Sequence, residues 1–207
     1  MQNDFRIIPA FPCVIGATHI KQDISAIWND IDKIEFSRTT ADNADGSVSV
    51  KMRLLNDYPE IKKILYDEFV KFKNEVLKLT TTDFNITTSW MTLTPPGGFC
   101  QPHQHKNSYY SAVLYQKPAE DPDSGVLILT RPALTNIMPN NPEENTLLSS
   151  DEIVIEPDTN LIVFFPSYLM HRIAKHTGRD NRYSIAFNLF PEGDLTHGDS
   201  SVRLEVS

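Results

Sequence analysis

Cysteine is almost missing. The 207 residues carry two, Cys13 and Cys100, 87 positions apart and in no CxxC step, so a disulfide scaffold is excluded. Positive charge is short as well. Nineteen Lys and Arg stand against 27 Asp and Glu, a net charge of −8 and a pI near 5.2. That balance argues against nonspecific binding to nucleic acid or anionic membrane through a basic surface, and no stacking pattern points to nucleic acid. No stretch approaches 18 uninterrupted apolar residues, so no spanning helix is expected. The N-terminus starts acidic and reaches Pro9 after a short apolar run, unlike a secretory signal or an anchor. Internal repeats, low-complexity tracts and linkers are also absent. What is present, 40% hydrophobic and 22% charged residues, is globular. The expectation is one soluble, cytoplasmic domain spanning 1–207.

Two periodicities divide the chain. In the first third, Phe5 to Ile15 is apolar but broken by Pro9 and Pro12, which suits an edge strand or extended arm. Ile24, Ile27, Trp28, Ile31 and Ile34 fall at helical spacing over 20–34, with Asp23 as cap. Residues 39–47 read as a turn-rich loop. Pro59 opens a second helix, with Ile61, Ile64, Leu65, Phe69, Phe72, Val76 and Leu77 as its stripe and Lys and Glu opposite. From Asp83 the period becomes two. Segments 84–93, 109–116, 125–130, 151–156, 161–165, 172–175 and 182–190 are rich in β-branched and aromatic residues and are separated by turn residues. The expected fold is mainly β, a jelly-roll core (double-stranded β-helix) over 83–192. An arm and two or three flanking helices in 1–82 precede it, and an extension over 193–207 follows. Residues 131–150 are the longest irregular stretch and a candidate lid.

Among six histidines, His103 and His105 form a Pro-His-Gln-His step after the Pro95-Pro-Gly-Gly turn, and His171 opens a distant strand. On a strand, positions i and i+2 share a face, so His103 and His105 can share an ion. A third ligand from another strand completes one face of an octahedron and leaves positions open. His19, His176 and His197 stand in polar or turn context and read as surface residues. Eleven positions after His171, Arg182 and Ser184 place a guanidinium and a hydroxyl on one strand face, an arrangement able to hold a carboxylate bidentately.

These blocks, from about Ser89 to Pro191, resemble the 2-oxoglutarate and Fe(II)-dependent dioxygenases, and most closely a small branch with a His-x-His block. Trp90-Met-Thr-Leu-Thr-Pro-Pro-Gly-Gly is similar to that branch's entry strand and turn. Pro102-His-Gln-His-Lys-Asn-Ser resembles its first ligand block, Phe165-Pro-Ser-Tyr-Leu-Met-His its distal-histidine block, and Arg182-Tyr-Ser-Ile-Ala-Phe-Asn its cosubstrate strand. The resemblance implies Fe(II) held by His103, His105 and His171, and 2-oxoglutarate paired through its far carboxylate by Arg182 and Ser184. Tyr115 or Tyr110 would add a phenol. It also implies release of succinate and carbon dioxide as a C–H bond is oxidised, with prolyl hydroxylation a precedent in the superfamily.

The departures matter too. The superfamily carries a carboxylate two positions after its first histidine, and here His105 stands there. A two-histidine site completed by water is the alternative, and in the register that starts at His105 the carboxylate position holds Asn107. Lys106, Ala112 and Leu114 differ from the branch on the substrate side, and the substrate, small molecule or peptide, is not named by the sequence. Two other readings compete. One is a cupin-like metalloprotein that does without 2-oxoglutarate, since Gly97 and His103-x-His105 partly match a cupin motif whose glutamate is missing. The other is a non-catalytic jelly-roll binding or structural module.

Overall fold

The computed structural model describes residues 12–38, 44–117, 124–132, 150–196 and 198–206. It is mainly β. The elements in chain order are β1 (Gly16–His19), α1 (Ser25–Asn29), β2 (Phe36–Arg38), β3 (Ala44–Asp45), β4 (Ser47–Ser49), α2 (Pro59–Glu75) and β5 (Asp83–Thr94). There follow β6 (Phe99–His103), β7 (Tyr110–Tyr115), β8 (Leu127–Thr130), β9 (Glu152–Ile155), β10 (Leu161–Pro166), β11 (His171–Ile173), β12 (Arg182–Leu195) and β13 (Val202–Leu204). Two antiparallel sheets result. The larger runs β1-β10-β7-β12-β5-β4-β2 with β13 beside β12, and the smaller runs β3-β6-β11-β8-β9.

Side-chain alternation along the central strands gives the larger sheet two different faces. One face carries Tyr110, Ala112 and Leu114 of β7, Ile162 and Phe164 of β10, and Ile185, Phe187 and Leu189 of β12. It packs on Ile27 of α1 and on Ile61, Leu65 and Phe69 of α2. Phe69 is fully buried, within 5.1 to 6.3 Å of the rings of Phe84, Phe164, Tyr110 and Phe72. The opposite face carries Val113, Tyr115, Val163 and Phe165 against Leu127 and Leu129 of the smaller sheet. The site lies on this inner side.

The seven expected strands from 83 onward and α2 form where the periodicity places them, whereas β6 and β13 fall outside the expected segments. The helix expected over 20–34 is instead one turn and a half of α1 followed by a 3-10 turn at Ile31–Lys33. Asp23, expected as its cap, accepts from the Ser25 amide at 2.9 Å, but the cap position is held by Ile24, which makes no side-chain cap bond. Beyond Asn29, Asp30 takes Lys33 Nζ at 2.6 Å and the Tyr58 hydroxyl at 3.2 Å, and such short polar residues compete with helix continuation. Lys73, expected on the solvated face of α2, is 3% exposed. Its ammonium donates to the Leu79 carbonyl at 2.8 Å, covering the helix end. Of the loop expected at 39–47, residues 39–43 lie outside the described residues, and 44–47 hold β3 and the start of β4, which step from the smaller sheet to the larger across Gly46. Of the edge strand or extended arm expected over 5–15, the described part, 12–15, is not strand, and the chain enters the sheet at Gly16. Most of the candidate lid lies outside the described residues. Among the described residues no helix is long and apolar enough to cross a membrane.

Candidate metal centre and carboxylate site

The three histidines meet. His103 closes β6 and His171 opens β11, and the two are direct cross-strand partners, with ring centroids 4.2 Å apart. His105 lies two residues beyond β6, outside regular strand. Strand alternation therefore does not aim it. Its amide bonds the Ser167 carbonyl at 3.0 Å, at the turn after β10, and its ring stands 5.0 Å from His171 and 5.3 Å from His103. One ligand atom from each of the three lies within 4.8 Å of the others.

Hydrogen bonds orient all three rings alike. Nδ1 of His103 faces the Gln101 carbonyl at 3.0 Å, Nδ1 of His171 faces the Leu169 carbonyl at 2.9 Å, and Nδ1 of His105 faces Asn188 Oδ1 at 2.7 Å. A carbonyl oxygen only accepts, so each Nδ1 carries a hydrogen, and in a neutral ring this leaves the lone pair on Nε2. Burial, with His103 nearby, pushes His171 down to about 3. Burial also lowers His105, against an opposing bond from Asn188 and with His103 adding to the fall. Both rings are therefore neutral at physiological pH, the form a metal takes.

At the other end of the same strand face stands Arg182. β12 directs Arg182, Ser184 and Ala186 into a cavity of about 210 Å³ that the three histidines also line. Arg182 is 2% exposed. One guanidinium nitrogen, Nη1, donates to the Gly125 carbonyl at 2.5 Å, and its Nε has no hydrogen-bond partner among the described residues. No carboxylate among the described residues pairs with it. Burial lowers its pKa, while Tyr115 raises it, yet a guanidinium stays charged. A buried unpaired cation is costly, and the cost is removed when an anion enters. Gly125 sits here with φ +61°, and a Cβ on it would stand 3.0 Å from the guanidinium carbon, so both the turn and the arginine require glycine.

The two candidate phenols part company. Tyr115 lies on the inner face, fully buried, its ring centroid 5.7 Å from the guanidinium carbon. Its hydroxyl also lacks a partner among the described residues, and burial pushes it up to about 12. Tyr110 points the other way, as its opposite parity on β7 requires. It packs on Phe69 and Phe72 and donates to the Val14 carbonyl at 3.1 Å, so the expectation that it helps bind a cosubstrate is corrected. His176 is corrected too. It is 2% exposed, held by Ser124 Oγ at 3.0 Å and the Asp180 carbonyl at 2.7 Å, and staples the loop carrying Gly125. His19 is exposed against Asp158 at 2.9 Å, and His197 lies outside the described residues. Asn188 and Ser111, which touch His105, were not picked out from the sequence. Asn188 shares the parity of Arg182 and Ser184 on β12, the one signal that marks it.

Residues 88–188 match the family described as "Putative 2OG-Fe(II) oxygenase". No curated protein sequence matches. Among solved structures, a Pseudomonas putida prolyl-4-hydroxylase superposes with TM-score 0.53 at 16% identity, covering 85% of this chain and 92% of that one. HygX from Streptomyces hygroscopicus, solved with nickel and 2-oxoglutarate bound, gives TM-score 0.59 at 10% identity over 86% and 82%. A Trichoplax adhaerens prolyl hydroxylase in complex with a hypoxia-inducible-factor peptide gives 0.59 at 15% over 85% and 83%. At these identities the likeness is one of fold.

Proposed function

We infer that this chain, an Fe(II)- and 2-oxoglutarate-dependent oxygenase by the family match across its site-bearing strands, holds its iron with His103, His105 and His171 and its cosubstrate with Arg182. The observation that carries the assignment is the pairing of two incomplete groups in one cavity. Three Nε2 atoms converge at one end, and a buried guanidinium without a counterion waits at the other. 2-Oxoglutarate has the matching chemistry, a chelating keto acid at one end and a carboxylate at the other. The finer fold reading, a double-stranded β-helix enclosing the site, and the finer family reading, the branch with His-x-His and Arg-x-Ser motifs, belong to the same proposal.

The residues have separable tasks. The three neutral imidazoles leave a divalent ion its full double charge, which favours a dianionic cosubstrate. Arg182 would pair the far carboxylate through its fork, Ser184 on the same strand face would add a hydroxyl, and Tyr115, its ring centroid 5.7 Å from the guanidinium carbon, would add its phenol. Val113, Leu127, Phe165 and Ile173 line the cavity and keep water from the reacting end, so the polar contacts act in a low dielectric. The bound Fe(II)–2-oxoglutarate pair supplies oxygen activation coupled to decarboxylation to succinate. The protein's part is to orient it toward one C–H bond of a small molecule or peptide.

The test is succinate release from 2-oxoglutarate by protein loaded with Fe(II), without added substrate. Slow, iron-dependent succinate formation is expected. Iron binding with no 2-oxoglutarate turnover is the behaviour of a cupin and contradicts the assignment. No iron binding at all leaves a non-catalytic module.

A further inference from the structure

We propose that Asn188 is a positioning residue that makes His105 a metal ligand by fixing its tautomer. The proposal rests on the three-histidine site above and goes beyond it, since a histidine in place of a carboxylate is a ligand only in one of its two neutral forms.

The proton directions around His105 are set by a chain of buried polar groups. Ser108 Oγ donates to the Tyr110 carbonyl at 3.0 Å, and Ser167 Oγ donates to Ser108 Oγ at 2.7 Å. Ser167 has then spent its one hydrogen, so in its 2.8 Å contact with Ser111 Oγ it accepts. Ser111 has one hydrogen, shared between Ser167 and Asn188 Oδ1 at 2.9 Å. Asn188 Nδ2 is turned away, donating to Thr88 Oγ1 at 2.9 Å. His105 Nδ1 faces two oxygens, Asn188 Oδ1 at 2.7 Å and Ser111 Oγ at 2.9 Å, and the nearer, an amide oxygen, can only accept. The ring must supply the hydrogen itself, and Nε2 is left bare.

The amide thereby acts as a selector. Turned end for end, Asn188 would present Nδ2 to Nδ1, the hydrogen would move to Nε2, and His105 would lose the lone pair it needs. His103 and His171 are oriented by main-chain carbonyls, which cannot reverse. His105, outside regular strand, depends on a side chain instead. An amide rather than a carboxylate at 188 also keeps the ligand set neutral, where an acidic partner would add charge behind the ring.

The experiment reads the tautomer in metal-free, 15N-labelled protein by long-range proton–nitrogen correlation at mildly alkaline pH. The His105 signal is assigned by its loss in His105→Ala, and Mn(II) affinity is measured alongside. The parent should show Nδ1–H on His105. Asn188→Leu, of similar size but without the acceptor, should give a mixture of tautomers and weaken Mn(II) by about 10- to 100-fold. Asn188→Asp, which can only accept, should restore the Nδ1–H form and Mn(II) affinity at or above the parent's. That rescue separates positioning from folding. A parent with Nε2–H on His105, or an Asn188→Leu protein unchanged in both tautomer and affinity, overturns the proposal. A parent with Nδ1–H that binds no Mn(II) overturns the metal-site reading and the ligand role together, which tells the two failures apart.

Discussion

On the proposed reading Arg182 and the histidines serve two different ligands, and single substitutions should separate them. Replacing Arg182 by Ala removes the fork and leaves the far carboxylate unpaired in a dry pocket. The expected loss is about 2–5 kcal/mol of 2-oxoglutarate binding, about thirty-fold to several-thousand-fold, with iron content unchanged. Arg182→Lys should recover part of it, because an ammonium is a point charge. Calorimetry with 2-oxoglutarate beside metal analysis checks both. On the metal side, His103→Ala and His171→Ala should each abolish tight Fe(II) binding, since these two are cross-strand partners in the frame of the smaller sheet. His105→Ala should only weaken it, because two ligands and water remain. Unchanged iron in either of the first two variants contradicts the site.

The element that fixes this geometry from outside is α2. Its apolar stripe covers the outer face of the strands whose inner face holds Arg182 and Ser184. Phe69→Ala should therefore cost about 3–5 kcal/mol of folding stability. Chemical denaturation would read this as a lower midpoint with the Fe(II) site intact in the folded fraction, and a loss under about 1 kcal/mol would mean that the helix is not a main support. Elements of this kind are where the sequence was most legible. The stripe on α2 and most period-two segments from 83 onward, though not the exposed β9, bury at least one face, so hydrophobic spacing located them. The parity of β12 likewise put Arg182 and Ser184 together. The short strands β3 and β4 were invisible because two or three residues carry no period; pairing with β6 and β5 makes them strands. Tyr110 and Tyr115 are alike by type, and only the assignment of each β7 face to helix or cavity decides between them. His105 and His176 depend on bonds to residues 83 and 52 positions away, which no local pattern encodes.

At the scale of the whole molecule, the buried neutral histidines link folding to pH. His171 sits near 3 in the folded protein against 6.5 when free, so below 6.5 the unfolded chain binds the extra proton. The stability that depends on a neutral His171 is complete above 6.5 and is lost as pH falls from there toward 3. Each such histidine contributes a slope of at most about 1.4 kcal/mol per pH unit. Thermal melts of metal-free protein across that range should show Tm falling with acid, and His171→Phe should flatten the fall; a flat profile in the parent contradicts a buried neutral ring. Fe(II) with 2-oxoglutarate should raise Tm, because both bind only the folded form. The proposed activity depends on the cavity that joins the three histidines to Arg182. The most direct measurement is anaerobic titration of the Fe(II)-loaded protein with 2-oxoglutarate, followed by the weak visible charge-transfer band of the chelate. The band should grow to saturation in the parent, need far more 2-oxoglutarate in Arg182→Ala, and be absent in His171→Ala. Saturation at the same concentration in parent and Arg182→Ala, or no band in the parent, would contradict it.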